Sequence, residues 1–253
     1  MIATDGTYIA KASEEGFIRA AAKLGYPEAR DIQDLTTINA TQRNIRYVNK
    51  QGRRQDAASN YLHPRLADGR HSNLNVITEH QVVRVLFDGT RASGIEFRPN
   101  PLFQGKCASQ HVKQVKARKL VVVSCGAMGT PLVLERSGVG DPKVLAEAGV
   151  DVVAEVPGVG AEYQDHHLLT YAYHSSLKPN ESFDAVYSGR QPVEELIANN
   201  DPILGWTAAD VYSKVRPGDA EAAALGPAFA AAWERDYKNN PTKPLSMITS
   251  LNG

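Results

Sequence analysis

Residues 119–140 read KLVVVSCGAMGTPLVLERSGVG. The run Leu120, Val121, Val122 and Val123 is apolar on both faces and β-branched at three positions, so it is expected to form a buried strand. It feeds Ser124-Cys125-Gly126-Ala127, a tight glycine turn, after which Thr130-Pro131 is placed to open a helix and Ser137-Gly138-Val139-Gly140 to end it. A strand, a glycine turn and a helix start together point unpaired backbone N–H groups at an anionic cofactor. On patterning alone the plainer reading, a strand–helix corner that holds nothing, has the advantage, because glycine often serves only the turn.

Upstream of this stretch the period is extended. Residues 73–78 lead into Val82, Val83, Arg84, Val85, Leu86 and Phe87, a β-rich strand. Asp88-Gly89 signals a hairpin, residues 92–97 return as its second strand, and residues 112–116 alternate as a third. Further upstream, Ser13 is expected to cap a helix whose Phe17, Ala21 and Leu24 share a face and which stops at Gly25. Residues 56–63 read as a short helix that Pro64 ends. Downstream, Asp141-Pro142 offers a cap and a first-turn proline for a helix that Gly149 stops. Residues 152–156 read as a strand, 168–174 as extended, and 191–199 as helical. An alanine-rich helical region, 219–237, must be interrupted at Gly226-Pro227.

Charge narrows the field. Across 253 residues, 28 Lys+Arg balance 28 Asp+Glu, which leaves no net charge to steer the chain to nucleic acid or an anionic membrane. The two cysteines, Cys107 and Cys125, form no CxxC pair, so neither a disulfide framework nor a thiolate zinc site is expected. No run approaches the length of a membrane span, and the opening residues lack a secretory pattern.

The pattern Gly-Ala-x-x-Thr-Pro-x-Val-Leu-x-x-Ser-Gly-Val-Gly over residues 126–140 resembles the second signature of the glucose–methanol–choline oxidoreductases, flavoproteins that oxidise alcohols. The likeness extends to Ser59-Asn60-Tyr61-Leu62-His63-Pro64, to residues 73–87, and to Pro157-Gly158-Val159-Gly160 followed by Gln164-Asp165-His166. Glu162 and Tyr163 depart from the family's usual Asn-Leu, and Glu162 brings a negative charge where a neutral amide is expected. Glu181-Ser182-Phe183-Asp184 and Lys214-Val215-Arg216-Pro217 lean toward the alcohol (methanol) oxidase branch.

The resemblance implies a mixed α/β (α+β) fold: a partial FAD-binding domain with a β-meander, plus an incomplete antiparallel-sheet substrate domain. It implies three stretches: a helical intermediate segment (1–54), the FAD-binding part (55–165) and the substrate-binding part (166–253). The implied activity is FAD-dependent oxidation of a primary alcohol to an aldehyde, with oxygen among the acceptors the resemblance leaves open. Implied cofactor contacts are Val82 at the adenine, Ser124, Cys125, Gly126 and Ala127 at the turn, and Asp165 and His166 near the isoalloxazine or pyrophosphate. Implied partners are a small alcohol and further copies of the chain, in peroxisome or cytoplasm, with no nucleic acid and no membrane. Neither Gly138-Val139-Gly140 nor Gly158-Val159-Gly160 completes a Gly-x-Gly-x-x-Gly loop, and no segment matches the family's catalytic histidine. The expectation is therefore an internal fragment, inactive alone; the alternative is a non-catalytic remnant serving as a binding or oligomerisation module.

Other constellations carry less. Asp165-His166-His167 suggests a metal site, but adjacent histidines on a strand point to opposite faces and no third ligand is well spaced. Ser124 with Asp165 and His166 would make a triad, yet the Gly-x-Ser-x-Gly elbow is missing. Cys125, closing an apolar strand, is expected to be a buried, inert thiol, and Trp206 a core aromatic.

Overall fold

A computed structural model describes residues 8–104 and 111–252; Cys107 lies outside the described residues. In chain order the elements begin with α1 (Lys11–Lys23), β1 (Ala40–Arg43), a π-helical turn (Ala58–Leu62) and α2 (His63–Ala67). Then come β2 (His80–Asp88), β3 (Arg91–Pro99), β4 (Lys113–Lys116), α3 (Gly126–Arg136), β5 (Val139–Gly140), α4 (Pro142–Glu147) and β6 (Ala154–Glu155). The last part holds α5 (Asp184–Tyr187), α6 (Val193–Ala198), β7 (Ala209–Val215), α7 (Asp219–Ala224), α8 (Pro227–Asp236) and β8 (Ser246–Leu251). The architecture is mixed α/β with small sheets. The chain divides into two compact units, one made of Met1–Ser72 with Tyr173–Gly253 and the other of Asn73–Ala172.

In the first unit β7 is the central strand of an antiparallel sheet ordered β1-β7-β8. Its core gathers Ala10, Leu196, Ile203, Trp206 and Ala208, with Tyr8 and Phe183 packed against Trp206 at ring distances of 5.1 Å. Asp210 of β7 is buried there and pairs with the equally buried Arg46. It also accepts from the Ala10 N–H at 3.0 Å and from Trp206 Nε1 at 2.7 Å. Helix α1 buries Glu14, Ile18 and Ala21, one residue round from the expected face, and Leu24 is exposed. Ser13 does not cap it; its hydroxyl instead donates to Asn252 Oδ1 at 3.0 Å. Pro64 does not end a helix either. The His63 N–H bonds to the Ala58 carbonyl in the wider π register, so Pro64 falls in the first turn of α2, where its missing N–H is not needed. Gly226, at φ 102°, and Pro227 break α7 from α8 as the sequence predicts.

In the second unit β2, β3 and β4 form an antiparallel meander. Its first turn closes over Gly89-Thr90, with Gly89 at φ 58°, as a tight hairpin requires. Helix α4 starts where expected: Asp141 Oδ1 accepts from the Lys143 N–H at 2.8 Å and Pro142 occupies the first turn. The expected strand at 152–156 shrinks to β6, which pairs in parallel with β5.

Two expectations about the 119–140 stretch are overturned. Residues 120–123 are not a buried strand: among the described residues no strand pairs with them, and Leu120 and Val122 are 75% and 73% exposed. Strand hydrophobicity declares what a segment would bury against, not that a neighbour is present. The helix also begins at Gly126, four residues before Thr130, so Pro131 lies inside α3 rather than at its start.

Candidate functional site

An apolar groove of about 250 Å³ opens between the meander and the start of α3. Val82 and Val85 of β2, Gly94 and Ile95 of β3, and Val115 and Lys116 of β4 supply one side. Residues 120–123, Cys125 and Val133 of α3 supply the other. The volume is slightly below the ~300–1,000 Å³ of a drug-sized ligand site, and so suits one ring system rather than a whole dinucleotide.

Local backbone chemistry makes the walls. The register of β2 on β3 slips between Val82 and Arg84, so Val83 is an extra residue and the ladder is interrupted beside the groove. Gly94 permits the close approach of β3 and β4, since a Cβ there would lie 2.3 Å from the Val115 carbonyl oxygen. At the other wall, Gly126 has φ 81° and nothing within 4 Å of where its Cβ would be. The Cys125 N–H is satisfied internally by Thr130 Oγ1 at 2.9 Å, and Pro131 leaves the Ala127 carbonyl without its intrahelical partner.

Gly138 of the motif and Gly160 of the downstream Pro-Gly-Val-Gly loop lie against neighbouring parts of the second unit. A Cβ on Gly138, at φ 83°, would meet the Asp151 carbonyl oxygen at 2.4 Å, where residues 151–154 run against β5. A Cβ on Gly160 would meet Glu135 Oε1 of α3 at 2.8 Å, which seats the Pro-Gly-Val-Gly loop on the helix.

Of the residues singled out in the sequence, the structure brings Val82 and Cys125 to the groove, with Ser124, Gly126 and Ala127 exposed on either side of Cys125. Cys125 is thus not the buried thiol expected, because the strand it was to close has no cover among the described residues. Asp165 and His166 do not line the groove. The Asp165 carboxylate accepts from the His166 N–H at 2.8 Å and the Tyr163 hydroxyl at 3.2 Å, which together hold its pKa below the usual carboxylate range. Among the described residues Lys116 is the only cationic side chain lining the groove, where sequence reading would place it on a solvated strand edge. No histidine among the described residues lines the groove, so it has apolar walls for holding a ring but no imidazole to take a proton.

A second cavity, of about 960 Å³ and mainly polar, lies in the first unit between Tyr173, His174, Lys178, Ser182 and Arg190. Its Arg190 is already paired with Asp184. Among the described residues no group of three or more His, Cys, Asp or Glu could hold a metal ion, and no helix is long and apolar enough to cross a membrane. Trp206 is a core residue, as expected.

Residues 1–168 match the family model described as GMC oxidoreductase. An alcohol oxidase of Candida boidinii is 33% identical over 246 residues, which cover 94% of this chain and 36% of the relative. An oxygen-dependent choline dehydrogenase of Chromohalobacter salexigens is 34% identical over 176 residues, 70% of this chain and 29% of the relative. The chain thus spans about a third of the length of the curated relatives it matches. Among solved structures, a formate oxidase superposes with a TM-score of 0.72 at 16% identity, covering 96% of this chain and 41% of that one. An FAD-dependent oxidoreductase from Chaetomium thermophilum gives 0.68 at 22% identity, covering 94% and 45%. At those identities the superpositions establish the fold.

Proposed function

The chain belongs to the GMC oxidoreductase family, and from that premise we propose that it forms the adenine side of an FAD site in an enzyme oxidising a small primary alcohol to its aldehyde. The observation that carries this reading is the groove that Val82 and Cys125 line together, far apart in sequence and both picked out by the family likeness. Its aliphatic walls suit the faces of a purine, and the bulge beside Val82 leaves main-chain groups at its edge for the ring nitrogens. Lys116 stands where a phosphate charge could be met. The residues present therefore fit one end of the dinucleotide. Asp165 and His166 would contact other parts of it, on the family likeness alone.

When bound, FAD accepts the hydride removed from the alcohol carbon. The work of this chain is to bind and orient: Val121, Val123 and Val133, the less exposed members of that wall, shield the ring from water, and the start of α3 fixes the corner. Removal of the hydroxyl proton is not assigned to the groove, whose titratable side chains among the described residues are Lys116 and Cys125. The alcohol oxidase relatives support the substrate class, with oxygen as the proposed acceptor.

Calorimetric titration of the purified chain with FAD, ADP and riboflavin tests the reading. FAD and ADP are expected to compete for one site and riboflavin to be ignored. Protein that stays colourless and gives no binding heat with FAD or ADP would favour a module without cofactor. Cys125→Phe, which fills the groove at an exposed position, is expected to weaken FAD binding about tenfold or more, equivalent to ~1.4 kcal/mol.

A further inference from the structure

One side chain joins the two walls of the groove. Ser137 follows α3 directly and is buried. Its Oγ donates to the Val133 carbonyl at 2.5 Å and accepts from the Val85 N–H at 2.8 Å. A serine bonded to the carbonyl four residues earlier is common in helices. The second bond is not part of that habit: it reaches from helix to strand across a sequence distance of 52 residues. Both partners line the groove, Val133 from α3 and Val85 from β2, whereas Ser137 itself does not. Val85 pairs with Ile95 in the three-residue run of β2 that lies between its two register slips.

We propose that Ser137 is a positioning residue whose hydroxyl fixes the separation of β2 and α3, and with it the width of the groove. A hydroxyl suits the task because it donates and accepts at once. Alanine can do neither, a thiol does both weakly, and threonine keeps both functions. The ligand-binding arm of the proposal rests on the reading of the groove as a flavin site; the structural arm does not.

The test compares Ser137→Ala, Ser137→Cys and Ser137→Thr with the unaltered chain under reducing conditions. Hydrogen exchange at the Val85 amide is expected to accelerate about tenfold or more in the Ala and Cys variants, while the Glu96 and Phe97 amides of the same meander keep their protection. ADP affinity should fall about tenfold in Ala and return in Thr, a rescue that general loosening would not produce. Cys, which fills the space, serves as the loss-of-acceptor variant should Ala fold poorly. Unchanged Val85 exchange in both loss variants overturns the proposal. Faster exchange with unchanged ADP affinity also overturns it, reducing Ser137 to a fastener that does not shape the site. If the unaltered chain binds neither FAD nor ADP, the flavin reading fails, and methyl NMR shifts of Val82 and Val123 decide the strut: unmoved shifts in Ser137→Ala refute it.

Discussion

Asp210 accepts hydrogen bonds from three separate parts of the chain: Ala10, Arg46 and Trp206. Removing the carboxylate takes its anionic partner from the Arg46 guanidinium, which is 2% exposed and keeps its bond to the Tyr8 carbonyl. Asp210→Ala is therefore expected to destabilise the first unit by about 3–5 kcal/mol in urea unfolding followed by circular dichroism. Replacing Arg46 and Asp210 together with apolar residues should recover only the part of that loss due to the unpaired charge, because the buried N–H groups of Ala10 and Trp206 still lose their acceptor. Gly138 makes a second prediction. Alanine there must adopt φ 83° and place a methyl 2.4 Å from the Asp151 carbonyl oxygen, so a loss of about 1–3 kcal/mol is expected for the second unit. These two residues differ in legibility. Gly138 stood out in the sequence, though as part of a ligand motif, and its use is backbone packing. Asp210 gave no sign, because a lone carboxylate in a strand reads as a solvent-facing position until its partner, 164 residues away, is seen.

The meander is laced across all three strands by one carboxylate. Glu96 on β3 accepts from Arg84 Nε on β2 at 2.6 Å and from Gln114 Nε2 on β4 at 2.9 Å. The hydrogen bond from Arg84, then that from Gln114, outweigh burial and lower its pKa below the ordinary glutamate value. A depressed carboxylate contributes stability that is complete above the unfolded-state pKa and is lost as pH falls through the folded one. Stability of the second unit should thus decline as pH drops below the ordinary glutamate range, by about 0.2–1 kcal/mol from this group, and Glu96→Gln should flatten that part of a melting-temperature profile. An equally steep acid limb in the variant would rule the carboxylate out as its source. Elements governed by local chemistry were legible: the Asp88-Gly89 hairpin, the Asp141-Pro142 cap and the Gly226-Pro227 break all formed where the residues demand them. Elements governed by distant neighbours were not. Residues 120–123 have the composition of an interior strand, yet Leu120 and Val122 lie exposed, and Pro131 resembles a helix start yet sits within α3. The groove was half legible. Val82 and Cys125 came from motif likeness; Ser137 stood in the motif, but its link to β2 enters only through a long-range hydrogen bond, and Lys116 only through its place on β4.

Taken whole, the protein carries no net charge and a sequence pI near 7.1, so long-range repulsion does not keep copies apart at neutral pH. It also exposes apolar side chains in an uncharged extended tract, with Leu168, Leu169 and Tyr171 each more than 70% accessible. Such segments favour edge-to-edge pairing. Concentration-dependent association at pH 7 is expected in sedimentation velocity, and Leu169→Glu with Tyr171→Glu should reduce it; a monodisperse monomer across the concentration series would refute this. The mixed α/β architecture was anticipated, but these exposed surfaces were not, since a hydrophobic pattern cannot reveal what lies opposite it. One further consequence comes from where the indoles sit. Both tryptophans, Trp206 and Trp233, are buried in the first unit, and none occurs in the second. Intrinsic indole emission therefore reports on the first unit's interior, whereas bound flavin would colour the second, so the melting of each can be followed at its own wavelength without any label.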